Sequence, residues 1–159
     1  MSDSEPNNTE VTSARDLDVL YREIDKLYHE MARGCGLSDC AYWILYEVQA
    51  AGGHATQRAI AESFSYSKQT VNSALKTLEA KGLVELCFAE GSRRAKTVCL
   101  TPEGRAFSKR HIVPAISAED RAFSSLVPEE RAELLRLVAA YTRAVDRELS
   151  RLHQKEEDL

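Results

Sequence analysis

Lys68, Gln69, Asn72, Ser73 and Lys76 fall within nine residues, at spacings that place them on one side of a helix. Val71, Leu75 and Leu78 interleave with them and occupy the other side. Glutamine and asparagine can bond adenine bidentately, serine either partner, and lysine guanine or a phosphate. A helix with one apolar face to dock and one amide-rich face to present is suited to reading base edges. Thr56 and Ser67 precede two short helical stretches as N-caps, and their hydroxyls with the amides behind them suit phosphate oxygens. Downstream, Glu90-Gly91-Ser92-Arg93-Arg94 is a glycine-containing loop tipped with arginines, and Lys96 follows it. Such a tip suits a narrow, electronegative groove.

These side chains need elements to hold them. Ser13 caps a helix whose stripe is Leu17, Leu20, Ile24, Leu27 and Met31, ended by Gly34 and Gly36. Ser38 or Asp39 opens a second helix that runs to about Ala50. Gln57–Ser63 is a short third helix with Ile60 and Phe64 inward, and Ser67 caps a fourth that ends at Gly82. Residues 83–88 and 95–101 alternate as two strands of a hairpin around the arginine loop. Thr101-Pro102 starts a long helix with an expected break near Arg110–Pro114, and Val127-Pro128 starts the last, with Leu134, Val138, Tyr141, Val145 and Leu152 as its stripe.

The expected fold class is therefore mainly α with a small β-hairpin wing (α+β). It is a winged helix-turn-helix over 36–101, with a helical dimerisation region from 14–35 and 102–153. Residues 1–13 read as a disordered leader and 154–159 as a frayed tail. The apolar stripes at both ends of the chain exceed what a small winged domain can cover, so a two-fold mate is expected to bury them.

Composition agrees. The chain has 159 residues, 43% hydrophobic and 29% charged, which suits one soluble domain with an appendage. Net charge is -4, but residues 54–100 carry seven bases against four acids, a basic island in an acidic chain. No stretch approaches the ~20 apolar residues of a membrane span, and the acidic N-terminus lacks a signal-peptide pattern, so a cytoplasmic location is expected. There is no G-x-S-x-G, GxGxxG or Walker motif, and an enzyme is not expected.

The runs TQRAIAESFSYSKQTVNSALKTLEAKGLVEL and RRAKTVCLTPEGR resemble the multiple antibiotic resistance regulator (MarR) family. Ser67, Thr70, Val71, Leu75, Leu78, Lys81, Gly82, Leu83 and Val84 match its core pattern. Leu100, Thr101 and Gly104 match its L-T-x-x-G, and GLSDCAYWIL at 36–45 resembles its second helix. The resemblance covers nearly all of the chain after residue 13. It implies a homodimeric transcriptional regulator, a repressor on a pseudo-palindromic operator in double-stranded DNA, released by a small effector. DNA-contacting residues are then Thr56, Ser67, Lys68, Gln69, Thr70, Asn72, Ser73, Lys76, Arg93, Arg94 and Lys96. Arg94 matches the wing-tip arginine, but Ser92 stands where the family usually has a bracing aspartate.

Family members often bind an aromatic or phenolic molecule between dimerisation helices and DNA-binding domain. Tyr28, Tyr42, Trp43, Tyr46, Arg110 and His111 are the candidates here. No metal or other cofactor is expected, because His29, His54, His111 and His153 are scattered. A thiol-based redox sensor is an alternative: Cys35 and Cys40 flank a turn, and Cys87 and Cys99 lie on facing strands, although small apolar packing is the ordinary role of all four. A protein-protein module is the other alternative. It would favour an apolar outer face on the fourth helix, against Lys68, Gln69, Asn72 and Lys76.

Overall fold

A computed structural model describes residues 13–63, 65–88 and 96–157, without the side chains of Lys96 and residues 153–157. The elements in order are α1 (Ala14–Gly34), α2 (Asp39–Ala50), β1 (His54–Thr56), α3 (Gln57–Ser63), α4 (Lys68–Ala80), β2 (Val84–Phe88), β3 (Lys96–Leu100), α5 (Pro102–His111), α6 (Val113–Ser124) and α7 (Pro128–Glu157). The chain forms two compact units that meet between Val113 and Pro114.

Helix starts follow the expected caps. The Ser13 backbone N–H and hydroxyl both donate to the Asp16 carboxylate, at 2.9 and 2.8 Å. Ser38 accepts from the Ala41 amide, and Ser67 from the Thr70 amide. The ends of α1 and α4 share one device. Gly36 and Gly82 each take φ near +68°, and the amides of Leu37 and Leu83 bond back to the carbonyls of Ala32 and Leu78.

The first unit has a continuous core. Tyr42, Ile44, Leu45 and Val48 of α2 are fully buried, with Ile60 of α3, Leu78 of α4, Val98 of β3 and Ile112 after α5. Val71, Ala74 and Leu75 complete the docked face of α4. The hairpin gains a third strand that the sequence pattern did not reveal. β1 pairs antiparallel with β3, in the order β1-β3-β2, with His54 opposite Cys99 and Thr56 opposite Thr97. Three residues are too few to show an alternation, so only pairing exposes this strand.

α5 approaches the turn after α4 closely. Thr101 caps α5 by accepting from the Gly104 amide at 2.9 Å, and donates its hydroxyl to the Gly82 carbonyl at 2.5 Å. A Cβ on Gly104 would lie 1.8 Å from the Leu83 carbonyl oxygen. The glycine is therefore a packing requirement, and it locks the end of α4 to the start of α5.

The expected break near Pro114 separates α5 from α6, at Ile112. Proline at 114 has no N–H for the carbonyl four residues earlier and its ring crowds it. In the second unit, the Val127 amide donates to Glu130 at 2.9 Å and starts α7. α7 continues to Glu157, four residues into the stretch expected to fray, because Gln154, Lys155 and Glu156 are all good helix formers. The expected leader lies outside the described residues apart from Ser13. The stripes of α1 and α7 stay largely uncovered: Leu20, Ile24, Leu27, Leu134, Leu135 and Leu152 are all exposed.

Candidate nucleic-acid interface

The outer face of α4 is built by its buried one. Val71, Ala74, Leu75 and Leu78 recur at three and four residues and fix the rotation of the helix about its axis. Gln69, Asn72, Ser73 and Lys76 then share the opposite stripe, and all four are exposed. Lys68 and Asn72 lean toward α3, where they line a cavity of about 600 Å³ with Gln57, Arg58 and Glu62. Thr70, Ser73 and Thr77 lean the other way. With His29, Asp39 and Tyr66 they line a cavity of about 490 Å³.

The capping hydroxyls are already engaged. Thr56 Oγ1 accepts from the Ala59 amide at 3.1 Å, and Ser67 Oγ lies 2.8 Å from Thr70 Oγ1. Thr70 is thereby tied to its own N-cap at the edge of the stripe. A hydroxyl that only accepts at a cap retains its own proton to donate, so Thr56 can still serve an anion. Arg58 is a cation that sequence reasoning passed over. It stands on α3 beside Lys68 and is paired at 2.7 Å with Glu62 one turn on. Its signal was present in the sequence as a lone base in the short helix before the turn. Arg93 and Arg94 lie outside the described residues, as does Phe64. Lys96 opens β3 opposite Phe88.

The candidate effector residues separate into two groups. Tyr28, Trp43 and Tyr46 form an aromatic cluster, with ring centroids of Trp43 4.5 Å from Tyr28 and 5.3 Å from Tyr46. Trp43 lines a cavity of about 520 Å³ with Asp25, Ser63, Ser65 and Tyr66. Tyr42 is fully buried and packs its ring edge-on to Trp43. Arg110 is exposed on α5, and the His111 ring lies tilted against Phe107, with centroids 4.6 Å apart. Tyr66 and His29 are additions that spacing did not single out. Tyr66 sits in the turn before α4 and borders all three cavities. Burial pushes its phenol up, reinforced by the nearby acids Asp39 and Asp25 and by Cys40. His29 Nδ1 lies 2.9 Å from Asp39 Oδ1, which ties α1 to the start of α2.

Residues 36–95, from the turn before α2 to the loop after β2, match the model of the MarR family. Over that segment the chain is similar to the MarR family. No curated protein matches it in sequence. Among solved structures it is similar to a MarR family regulator from Neisseria meningitidis, at 28% identity and a TM-score of 0.64, over 85% of this chain and 96% of that one. It is similar in fold to the transcription regulator MarR from Oenococcus oeni, at 18% identity and a TM-score of 0.66, over 81% and 97%. It is also similar in fold to NadR in complex with 4-hydroxyphenylacetate, at 17% identity and a TM-score of 0.64, over 87% and 97%. The mostly helical chain with its small antiparallel sheet is the winged-helix fold of MarR regulators. No helix among the described residues is long and apolar enough to cross a membrane.

Proposed function

We propose that the chain is a repressor that binds double-stranded DNA sequence-specifically as a homodimer and is released by a small aromatic or phenolic effector. The observation that carries the reading is the exposed stripe Gln69, Asn72, Ser73 and Lys76 on α4, presented by a buried face inside the segment matched to the MarR family. Gln69 and Asn72 read base edges from the first two turns of α4, where a recognition helix meets them. Lys68, Arg58 and Lys76 take phosphates, and the capping hydroxyls of Thr56 and Ser67 add donors to the backbone. Arg94 enters the minor groove, with Arg93 and Lys96 on phosphates. Ser92 offers Arg94 no charged brace.

The dimer rests on the uncovered stripes. Six large apolar residues of α1 are exposed, from Val19 to Met31, and six of α7, from Leu134 to Leu152. A monomer leaving this much apolar surface in water is unfavourable at about 25 cal/mol per Å². A two-fold mate also sets two copies of α4 about one DNA turn apart.

Effector release is supported by the cavities on either side of the turn before α4. A molecule seated between Trp43 and Tyr66, or between His29 and Thr70, bears on the segment that positions the recognition helix. Two relatives by fold were solved with phenolic ligands, 4-hydroxyphenylacetate and 2,4-dichlorophenol. The test is selection of bound duplexes from a random pool, repeated with a panel of phenolic acids. Enrichment of an inverted repeat with half-sites one turn apart is expected, and so is loss of binding with at least one phenol. Recovery of no sequence preference refutes the DNA reading. Preference that no phenol alters refutes the effector reading.

A further inference from the structure

The three cavities around the turn before α4 differ in charge. That of about 600 Å³ holds Arg58 and Lys68 with Glu62, and that of about 490 Å³ holds His29 with Asp39. The cavity of about 520 Å³ is lined by Asp25, Trp43, Ser63, Ser65 and Tyr66, so among the described residues its one formal charge is a carboxylate. Asp25 forms no ion pair with any described residue. Two bases stand one turn away from it along α1, and both are engaged elsewhere. Arg22 Nε donates to the Asp18 carbonyl at 3.1 Å, and His29 lies against Asp39 at 2.9 Å. The negative field reaches across the cavity to Tyr66, whose phenol is pushed up first by burial and then by Asp39, Cys40 and Asp25.

The groups beside Asp25 also suit a ligand that donates. Ser63 gives its hydroxyl proton to the Ala59 carbonyl at 2.9 Å, so what remains on its oxygen is lone pairs. Trp43 adds an electron-rich ring, with Tyr28 and Tyr46 tilted against it at 4.5 and 5.3 Å between centroids. Such a ring stacks on another aromatic or attracts a cation to its face. A carboxylate, a lone pair and an indole together match an ammonium group carried on an aromatic ring. The volume lies within the roughly 300–1,000 Å³ of small-molecule sites.

We infer that the cavity beside Trp43 takes a protonated primary arylalkylamine, its ring on Trp43 and its ammonium on Asp25 and Ser63. This rests on the effector reading above and gives the ligand at this cavity a positive charge. An anionic phenol is repelled by Asp25 and is left to the cavity that holds His29. Asp25 and Trp43 belong to α1 and α2, whereas Ser63, Ser65 and Tyr66 end α3 and form the turn before α4. A bound amine therefore ties that turn to the first two helices, and through it bears on the position of α4.

The test titrates the full chain without DNA and follows the emission of Trp43, the one tryptophan of the chain. The probes share a phenol ring and differ in charge: tyramine, the neutral 4-hydroxyphenylethanol and the anionic 4-hydroxyphenylacetate. Tyramine is expected to change the emission saturably, with Kd about three- to tenfold below that of the alcohol, and the anion to bind more weakly than either. Its trimethylammonium derivative, which has no N–H for Ser63, is expected to bind more weakly than tyramine. Asp25→Asn is expected to raise the Kd of tyramine to that of the alcohol while leaving the alcohol unchanged, which a loss of fold would not do. Asp18→Asn, an exposed acid of α1 outside the cavity, is expected to change neither. Tyramine binding no better than the alcohol overturns the inference, as does an unchanged Kd for tyramine in Asp25→Asn. Tyramine is then added to the protein on duplexes recovered by the selection above. Saturable binding that leaves the DNA bound supports this site and counts against the effector reading, whereas release by a phenolic acid with no binding of tyramine overturns this site alone.

Discussion

Gly104→Ala adds one methyl group and is expected to destabilise the protein strongly. The new Cβ would sit 1.8 Å from the Leu83 carbonyl oxygen, 2.8 Å from its carbon and 3.3 Å from its Cα. Ordinary contact between such atoms is roughly 3.5 Å, so backbone must separate by about 1.5 Å. Neither side is a flexible tip: Leu83 closes the end of α4 and Gly104 lies in the first turn of α5. Separation strains three bonds, the Thr101 hydroxyl to Gly82, the Thr101 amide to Leu83 at 3.2 Å, and the Gly104 amide to the Thr101 hydroxyl. Each contributes about 1 kcal/mol net, and loss of a threonine cap costs about 0.5–2 kcal/mol. Alanine returns at most about 1 kcal/mol of helix propensity. The net cost is about 2–4 kcal/mol, which for a chain of this size lowers Tm by about 5–15 °C. Thermal and urea melts followed by circular dichroism, at one protein concentration, measure it. Gly34→Ala is the control. Nothing lies within 4 Å of its added Cβ and its φ is not positive, so it is expected to be neutral or to stabilise by up to about 1 kcal/mol. A Gly104→Ala protein melting within a degree of the parent would show that the turn yields freely, and the argument would fail.

Light scattering at micromolar concentration is expected to give twice the mass of the chain, and charge placed on the α1 stripe, as in Leu27→Glu, to give a monomer or insoluble protein; a stable folded monomer of the parent would contradict the dimer. Gln69→Ala and Asn72→Ala are expected to cost about 1–3 kcal/mol at particular base pairs and to relax preference there, whereas Lys76→Ala weakens all duplexes alike and lowers the salt slope by about one. Equal losses on specific and random DNA for the first two would undo their assignment as base readers. Cys35 and Cys40 are expected to alkylate slowly at pH 7, with rates rising about tenfold per pH unit until the raised thiol pKa is reached; fast labelling at neutral pH would contradict their burial. The chain has one tryptophan, so a phenol seated beside Trp43 is expected to quench its emission, and a selected effector that releases DNA without changing that emission would place its site elsewhere.

Local physics made much of this protein legible before any coordinates. Ser13, Ser38, Ser67 and Thr101 cap helices because a side-chain oxygen three residues before a free amide satisfies it wherever the chain runs. Gly36 and Gly82 end helices because only a residue without Cβ takes a positive φ at no cost. Val71, Leu75 and Leu78 fixed which face of α4 looks outward, and hence the stripe of Gln69, Asn72, Ser73 and Lys76, since the helical period is a local property. Tertiary structure decided what depends on residues distant in sequence. β1 exists only because β3 arrives beside it. Cys87 and Cys99 had a small apolar packing role as their ordinary expectation, and register alone set them on one diagonal. Gly104 matched a family pattern without a stated reason until Leu83 was found against it. Tyr42 was one more aromatic in a stripe until packing enclosed it, while Trp43, its neighbour in sequence, was left beside a cavity. A rotation of 100° per residue separates those two side chains, and only the helices around α2 determine which of the two directions is filled.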